Sequence, residues 1–130
     1  MEFNLSAKAT EYSARLQQFM DQKVIPAEGL YHQQRAALVA AGKPHDLPAV
    51  VEELKVQARA QGLWNLFLPH SQDPHHALSV TDYATLAEIT GWSVEIAPEA
   101  INCSAPDTGN MEVLDMFGTD AQKEQWLKPL

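Results

Sequence analysis

Hydrophobic residues recur three and four positions apart along most of the chain, and this spacing predicts amphipathic α-helices. The first stripe lies in residues 6–23, with Ser6 as the expected N-cap. Its inward positions are Ala9, Tyr12, Leu16, Phe19, Met20 and Lys23. A second helix is expected to begin at Pro26 and to end at Gly42, because proline suits a first helical turn and glycine suits a helix end. Its shared face holds Leu30, Tyr31, Gln34 and Leu38.

The middle of the chain predicts two further helices around a buried turn. Asp46 is the expected cap of a third helix, which ends at Gly62 and has Val50, Val51, Leu54 and Ala58 as inward residues. The short apolar run LWNLFLP is closed by Pro69 and favours a buried turn. A fourth helix, beginning at Ser79 or Thr81, is apolar on more than one face, which indicates a central position.

The last part of the chain is expected to be irregular from residue 91 to 109 and then to form two short helices divided by Gly118. Thr119 and Gln122 have the spacing of a capping box at the second of these helices. No region shows sustained period-two alternation. The sequence therefore predicts an all-α fold of about six helices, in an orthogonal or up-down bundle, as a single domain over residues 1–130.

Composition narrows the function classes. Of the 130 residues, 45% are hydrophobic, which is enough for one core, and the formal net charge is −8. Lys and Arg are scattered singly, which argues against a nucleic-acid interface. A single cysteine excludes an internal disulfide and suits a reducing compartment. The sequence has no membrane-spanning run and no apolar signal region, so we expect a soluble, cytoplasmic protein.

The candidate chemistry begins with the stretch EAINCSAPDTGNMEVL, which contains the only cysteine, Cys103. A nucleophilic thiol needs a nearby base and a lowered pKa, and no histidine accompanies Cys103 locally. Burial as a small apolar residue is the favoured interpretation. Asp107 or Thr108 is expected to cap the helix that follows, rather than to help bind an anion there.

The remaining histidines, carboxylates and tryptophans are expected to have solvated or structural positions rather than a role in catalysis. His70, His75 and His76 lie near Asp73 in one predicted loop, but adjacent histidines rarely face one metal ion, so no metal site is expected. The carboxylate pairs are expected on solvated faces: Glu52 with Glu53, Asp82 with Glu88, and Glu95 with Glu99. The three tryptophans are expected to anchor the core. Local chemistry alone therefore indicates no complete active site and no catalytic residue.

Several of these segments together resemble a known family. The segment FGTDAQKEQWL is similar to the Gly-Thr-x-x-Gln-Lys-x-x-aromatic-Leu motif of acyl-CoA dehydrogenases, and APDTGNMEVL with GLWNLFLP resembles the branch related to kinase-domain-associated members. The resemblance runs from about Leu16 to Leu130. It implies the N-terminal helical domain of an FAD-dependent enzyme that oxidises acyl-CoA thioesters to trans-2-enoyl-CoA.

The resemblance also implies which functional groups of the enzyme lie outside these residues and which part of the substrate cavity these residues form. In the family, FAD lies chiefly between the middle β domain and the C-terminal helical domain, with a neighbouring subunit contributing, and the catalytic glutamate belongs to the C-terminal domain. This chain alone is therefore expected to be inactive and not to bind FAD stably. The loop between the fourth and fifth helices helps to wall the acyl-chain cavity, which points to Ile101, Asn102, Cys103 and Ala105. The implied partners are the remaining domains or further copies of the chain, with acyl-CoA as substrate. The alternative is a non-enzymatic helical interaction module with the same fold.

Overall fold

The computed structural model describes residues 4–68 and 78–130, and every regular element in these residues is helical. The α-helices are α1 (Ala7–Phe19), α2 (Ile25–Ala40), α3 (Ala49–Ala60), α4 (Val80–Thr90), α5 (Ala97–Ala100), α6 (Asp107–Phe117) and α7 (Asp120–Gln122). Two π turns, Met20–Val24 and Lys123–Leu127, and a 3₁₀ turn, Gly91–Ser93, complete them. The predicted all-α fold is confirmed.

The predicted break between the first two helices is wrong. Helix α1 runs through the π turn directly into α2, and Pro26 lies inside this continuous helical run. In the π turn the Ile25 N–H donates to the Met20 carbonyl, so the bonding pattern has already shifted before the proline, which has no N–H to donate. The extra residue in the turn also rotates the apolar stripe, so that Val24 is buried and Lys23 is exposed.

Most of the predicted helix ends are confirmed. Ser6 and Ser79 accept hydrogen bonds from the backbone at the starts of α1 and α4. Thr119 and Gln122 form the complete capping box. Gly42 and Gly62 end their helices with φ of +75° and +66°, a region that glycine enters without steric cost.

Two predicted caps are wrong. Pro48, not Asp46, precedes α3, and the side-chain oxygen of Gln34 on α2 accepts the Val50 N–H at 2.9 Å. A side chain from a neighbouring helix thus satisfies a donor that the local sequence leaves open. Neither Asp107 nor Thr108 caps α6, because Pro106 occupies the N-cap position and Asp107 is already helical.

The main hydrophobic core joins α1, the first π turn, α3 and α5, and it includes Leu63 and Leu66 of the predicted buried turn. A smaller cluster of Phe67, Leu68 and Met111 lies beside it, with Tyr83, Cys103 and Leu127 packed against it. The predicted inward residues of α3 are all buried. Helix α4 packs on α1, but only Leu86 and Thr90 of α4 are buried, so its predicted central position is wrong.

The predicted tryptophan anchors are also wrong. Trp92 and Trp126 are 78% and 57% exposed, and Trp64 is half-buried with the Arg59 guanidinium 3.9 Å above its ring. Helix α2 has no fully buried residue, and Leu30 on its predicted face is 44% exposed. The main core is therefore filled mostly by aliphatic residues together with Tyr12 and Phe19, while several large apolar side chains remain at the surface.

Candidate functional site

A cleft of about 310 Å³ lies between α4, the start of α6 and the loop that carries Cys103. Its lining residues are Phe67, Val80, Tyr83, Cys103, Thr108 and Glu112. Phe67 belongs to the smaller hydrophobic cluster, and Tyr83 and Cys103 pack against that cluster, so the floor of the cleft is apolar. This volume is at the low end of the ~300–1,000 Å³ that small-molecule sites occupy.

Tyr83 and Cys103 lie close enough together in this cleft for each to affect the pKa of the other. Burial raises the pKa of the Cys103 thiol, the interaction with Tyr83 lowers it in part, and the nearby Glu99 carboxylate raises it again. Burial and the same pairing raise the pKa of Tyr83. Both groups are therefore held in their neutral forms at neutral pH, which suits packing against an apolar ligand and does not suit nucleophilic attack.

The loop before Cys103 is fixed by two asparagines in the left-handed region. Asn65 and Asn102 have φ of 58° and 59°, and the Asn102 amide donates to Asn65 Oδ1 at 2.6 Å and to the Leu130 carbonyl at 2.9 Å. The Asn65 N–H donates to the Ile101 carbonyl at 3.2 Å. These bonds join the buried turn after α3, the Cys103 loop and the last residue of the chain.

The four residues proposed for the acyl-chain wall have different environments. Cys103 lines the cleft, Ile101 is buried in the main core, Asn102 is occupied by the hydrogen bonds just described, and Ala105 is exposed beside the cis Ala105–Pro106 bond. Only Cys103 thus faces the cleft directly. Ile101 and Asn102 hold the backbone that presents it.

The carboxylates are mostly on exposed faces, with one exception that spacing did not reveal. Lys55 on α3 lies 2.8 Å from the Glu99 carboxylate on α5 and 3.2 Å from Glu52. Asp82 accepts a hydrogen bond from the Ser6 N–H at 3.1 Å, and its pKa is lowered chiefly by this bond. No two carboxylates among the described residues converge on one point of the cleft.

Sequence reasoning missed Phe67, Tyr83, Thr108 and Glu112 as lining residues. Phe67 lies in an apolar run that favours a buried turn, and Tyr83 lies in the apolar stripe of a predicted helix, so the sequence indicates a core position for both. Thr108 and Glu112 are one turn apart on α6, a spacing that could have placed them on one face. The histidine group near Asp73 lies outside the described residues, and within residues 4–68 and 78–130 no cluster could hold a metal ion.

Exposed apolar side chains mark two further surfaces. Val113, Met116 and Phe117 share a face of α6 and are 59%, 54% and 75% exposed. Trp92 and Ile25 border a second, smaller depression of about 240 Å³ together with Met20. Patches of this kind commonly mark contacts with other protein surfaces.

Comparison with known proteins identifies relatives of the whole chain. The chain is 53% identical over 130 residues to the probable acyl-CoA dehydrogenase FadE2 of Mycobacterium tuberculosis. It is 43% identical over 132 residues to human acyl-CoA dehydrogenase family member 11. The homologues of this chain are acyl-CoA dehydrogenases. A solved structure of a protein assigned as an acyl-CoA dehydrogenase from Mycobacterium abscessus superposes with a TM-score of 0.83 at 43% identity over 97% of the chain.

The chain matches the N-terminal part of these dehydrogenases and spans a minor share of their length. It covers 30% of FadE2, 16% of the human relative and 32% of the solved acyl-CoA dehydrogenase chain. No protein-family model matches the chain. None of the described helices has the length and apolarity needed to cross a membrane.

Proposed function

We propose that this chain is the N-terminal helical domain, residues 1–130, of an FAD-dependent acyl-CoA dehydrogenase, and that it supplies one wall of the acyl-chain cavity. The observation that carries the proposal is the Cys103 cleft, whose floor of Phe67, Tyr83 and Cys103 is apolar. A saturated acyl chain offers only apolar contacts, and a surface of neutral side chains binds it without burying a charge.

The residues of this chain do not fit FAD itself. The cleft is small for a dinucleotide, its lining includes a carboxylate at Glu112, and the formal net charge of −8 opposes binding of a diphosphate. The chain also has no glycine-rich phosphate loop. In this proposal the flavin and the base that removes the α-proton are supplied outside these residues, and the chain alone does not turn over substrate.

The contribution of this chain to the reaction is then positional. The Asn65–Asn102 hydrogen bonds fix the loop that presents Cys103, and α4 presents Tyr83 from the opposite side. Because the Cys103 thiol and the Tyr83 phenol are neutral, the floor of the cleft carries no charge. The exposed apolar face of α6 and the surface around Trp92 are the proposed contacts with the remaining domains or with another copy of the chain.

The proposal is tested by expressing the reading frame that contains this chain to its natural stop. We expect the product to reduce an electron acceptor with acyl-CoA and FAD, whereas residues 1–130 alone show no turnover. A stop directly after Leu130, or turnover by residues 1–130 alone, would contradict the proposal. A stop there would favour the interaction module.

The proposed role of the cleft as a wall of the acyl-chain cavity is tested with Thr108→Phe in the product of the full reading frame. This substitution places a ring at the mouth of the cleft. We expect KM for long acyl chains to rise about tenfold, with kcat/KM for short chains unchanged, because only a long chain reaches the cleft. Val56→Phe, at a 68% exposed position on α3, is the control. An equal change in KM for short and long acyl chains would show that the acyl chain does not enter the cleft.

A further inference from the structure

The chemistry of the Cys103 cleft changes from its floor to its rim. The floor is formed by Phe67, Tyr83 and Cys103, which belong to or pack against the smaller hydrophobic cluster. The polar lining residues are Thr108 and Glu112, one turn apart on α6, with Glu112 exposed to solvent.

Among the described residues that line this cleft, Glu112 is the one with a charged side chain. The Glu99 carboxylate, which also acts on Cys103, does not line the cleft and is paired with Lys55 at 2.8 Å. Among the described residues, the lining contains no Lys or Arg. A ligand carboxylate that enters would lose hydration and meet the Glu112 carboxylate without a cation in the described lining, which is unfavourable. A ligand hydroxyl would instead meet a threonine hydroxyl and a carboxylate acceptor.

We propose that the Cys103 cleft selects acyl chains by their far end, admitting ends that are uncharged or hydroxylated and excluding ends that carry a carboxylate, with Glu112 as the specificity-determining residue. This inference rests on the proposed acyl-wall function and adds the class of chain that the wall accepts. Specificity can arise from an unfavourable interaction with the excluded ligand alone. The cleft therefore does not need many direct contacts with the chains that it admits.

Three ligands of equal length test the selection: octanoate, 8-hydroxyoctanoate and octanedioate. Each has one carboxylate that can remain in solvent, and they differ only in the end that enters the cleft. Binding to the chain is followed by amide NMR shifts of Phe67, Tyr83 and Cys103. We expect the first two ligands to bind with similar affinity and octanedioate to bind about tenfold or more weakly, because its second carboxylate faces Glu112.

Variants of Glu112 test whether this residue causes the difference in affinity between octanoate and octanedioate. Glu112→Gln is expected to narrow the difference between octanoate and octanedioate several-fold, and Glu112→Lys to abolish or reverse it, since a cation then faces the entering carboxylate. Glu53→Lys is the matched control, because it makes the same change in net charge at an exposed position of α3. The NMR spectrum of each variant reports whether it is folded.

The outcomes separate the two proposals. If octanoate shifts the cleft residues but octanedioate binds equally well, the selection is overturned while the acyl wall stands. If no ligand shifts the cleft residues, the wall and the selection both fail. If Glu53→Lys changes the affinity ratio as much as Glu112→Lys, the effect is one of net charge, and the role of Glu112 is overturned.

Discussion

At the scale of single residues, Asn102 combines two roles that a sequence pattern does not separate. Its backbone is left-handed at φ of 59°, and its side-chain amide joins Asn65 to the Leu130 carbonyl. Asparagine tolerates the left-handed region better than other non-glycine residues. The family resemblance points to Asn102 as cavity lining, and no local sequence signal reveals its hydrogen-bond partners 37 and 28 positions away.

Two substitutions of Asn102 distinguish these roles. Asn102→Gly keeps the backbone conformation accessible and removes the amide, so we expect the free energy of unfolding to fall by about 1–2 kcal/mol. Asn102→Ala also forces an alanine into the left-handed region, and we expect roughly 1 kcal/mol of further loss. Equilibrium urea unfolding measures both. Equal stability of the two variants would show that the backbone conformation costs nothing at this position.

At the scale of elements, the longer helices were predictable, whereas α5, which lies in the stretch expected to be irregular, and the continuity of α1 with α2 were not. Apolar spacing located α1, α3, α4 and α6, and capping residues located several of their ends. Pro26 predicted a boundary that the π turn removes, and Asp46 predicted a cap that Gln34 on another helix replaces. Both failures have the same physical origin: the deciding hydrogen bonds depend on a changed helical register or on a tertiary neighbour, neither of which local spacing records.

The contact between α3 and α5 gives a prediction that depends on pH. Burial lowers the pKa of Lys55, and the hydrogen bonds to Glu99 and Glu52 raise it by more, so the pKa lies above its ordinary value of 10.5. A raised pKa in the folded state means that this stabilisation is complete below pH 10.5 and is lost as pH rises through the folded pKa. We expect Lys55→Met to cost about 1 kcal/mol at pH 7 and progressively less above pH 10.5.

Denaturant unfolding between pH 7 and 11.5 checks this expectation. Lys43→Met is the control, because Lys43 pairs with Asp46 at 3.7 Å with both side chains more than half exposed, where ion pairs contribute little. A cost for Lys55→Met that stays constant up to pH 11.5 would mean that the aliphatic stem of Lys55, and not its charge, stabilises the contact.

At the scale of the whole molecule, the fold has one main core and a surface that is more apolar than solubility requires. Val113, Met116 and Phe117 project from one face of α6, and Trp126 on the following π turn is 57% exposed. Their helical spacing was visible in the sequence. Spacing identifies an apolar face and does not identify the surface that covers it.

We therefore expect residues 1–130 to self-associate through the apolar face of α6. Sedimentation velocity should show species larger than the monomer at tens of micromolar, on the order of concentrations at which weak apolar contacts form. The double substitution Met116→Lys and Phe117→Lys should restore the monomer, because two lysines on the face must be desolvated or repel one another in the contact. Val56→Lys, at an exposed apolar position on α3, should leave association unchanged. A chain that is monomeric throughout this range would contradict self-association through this face.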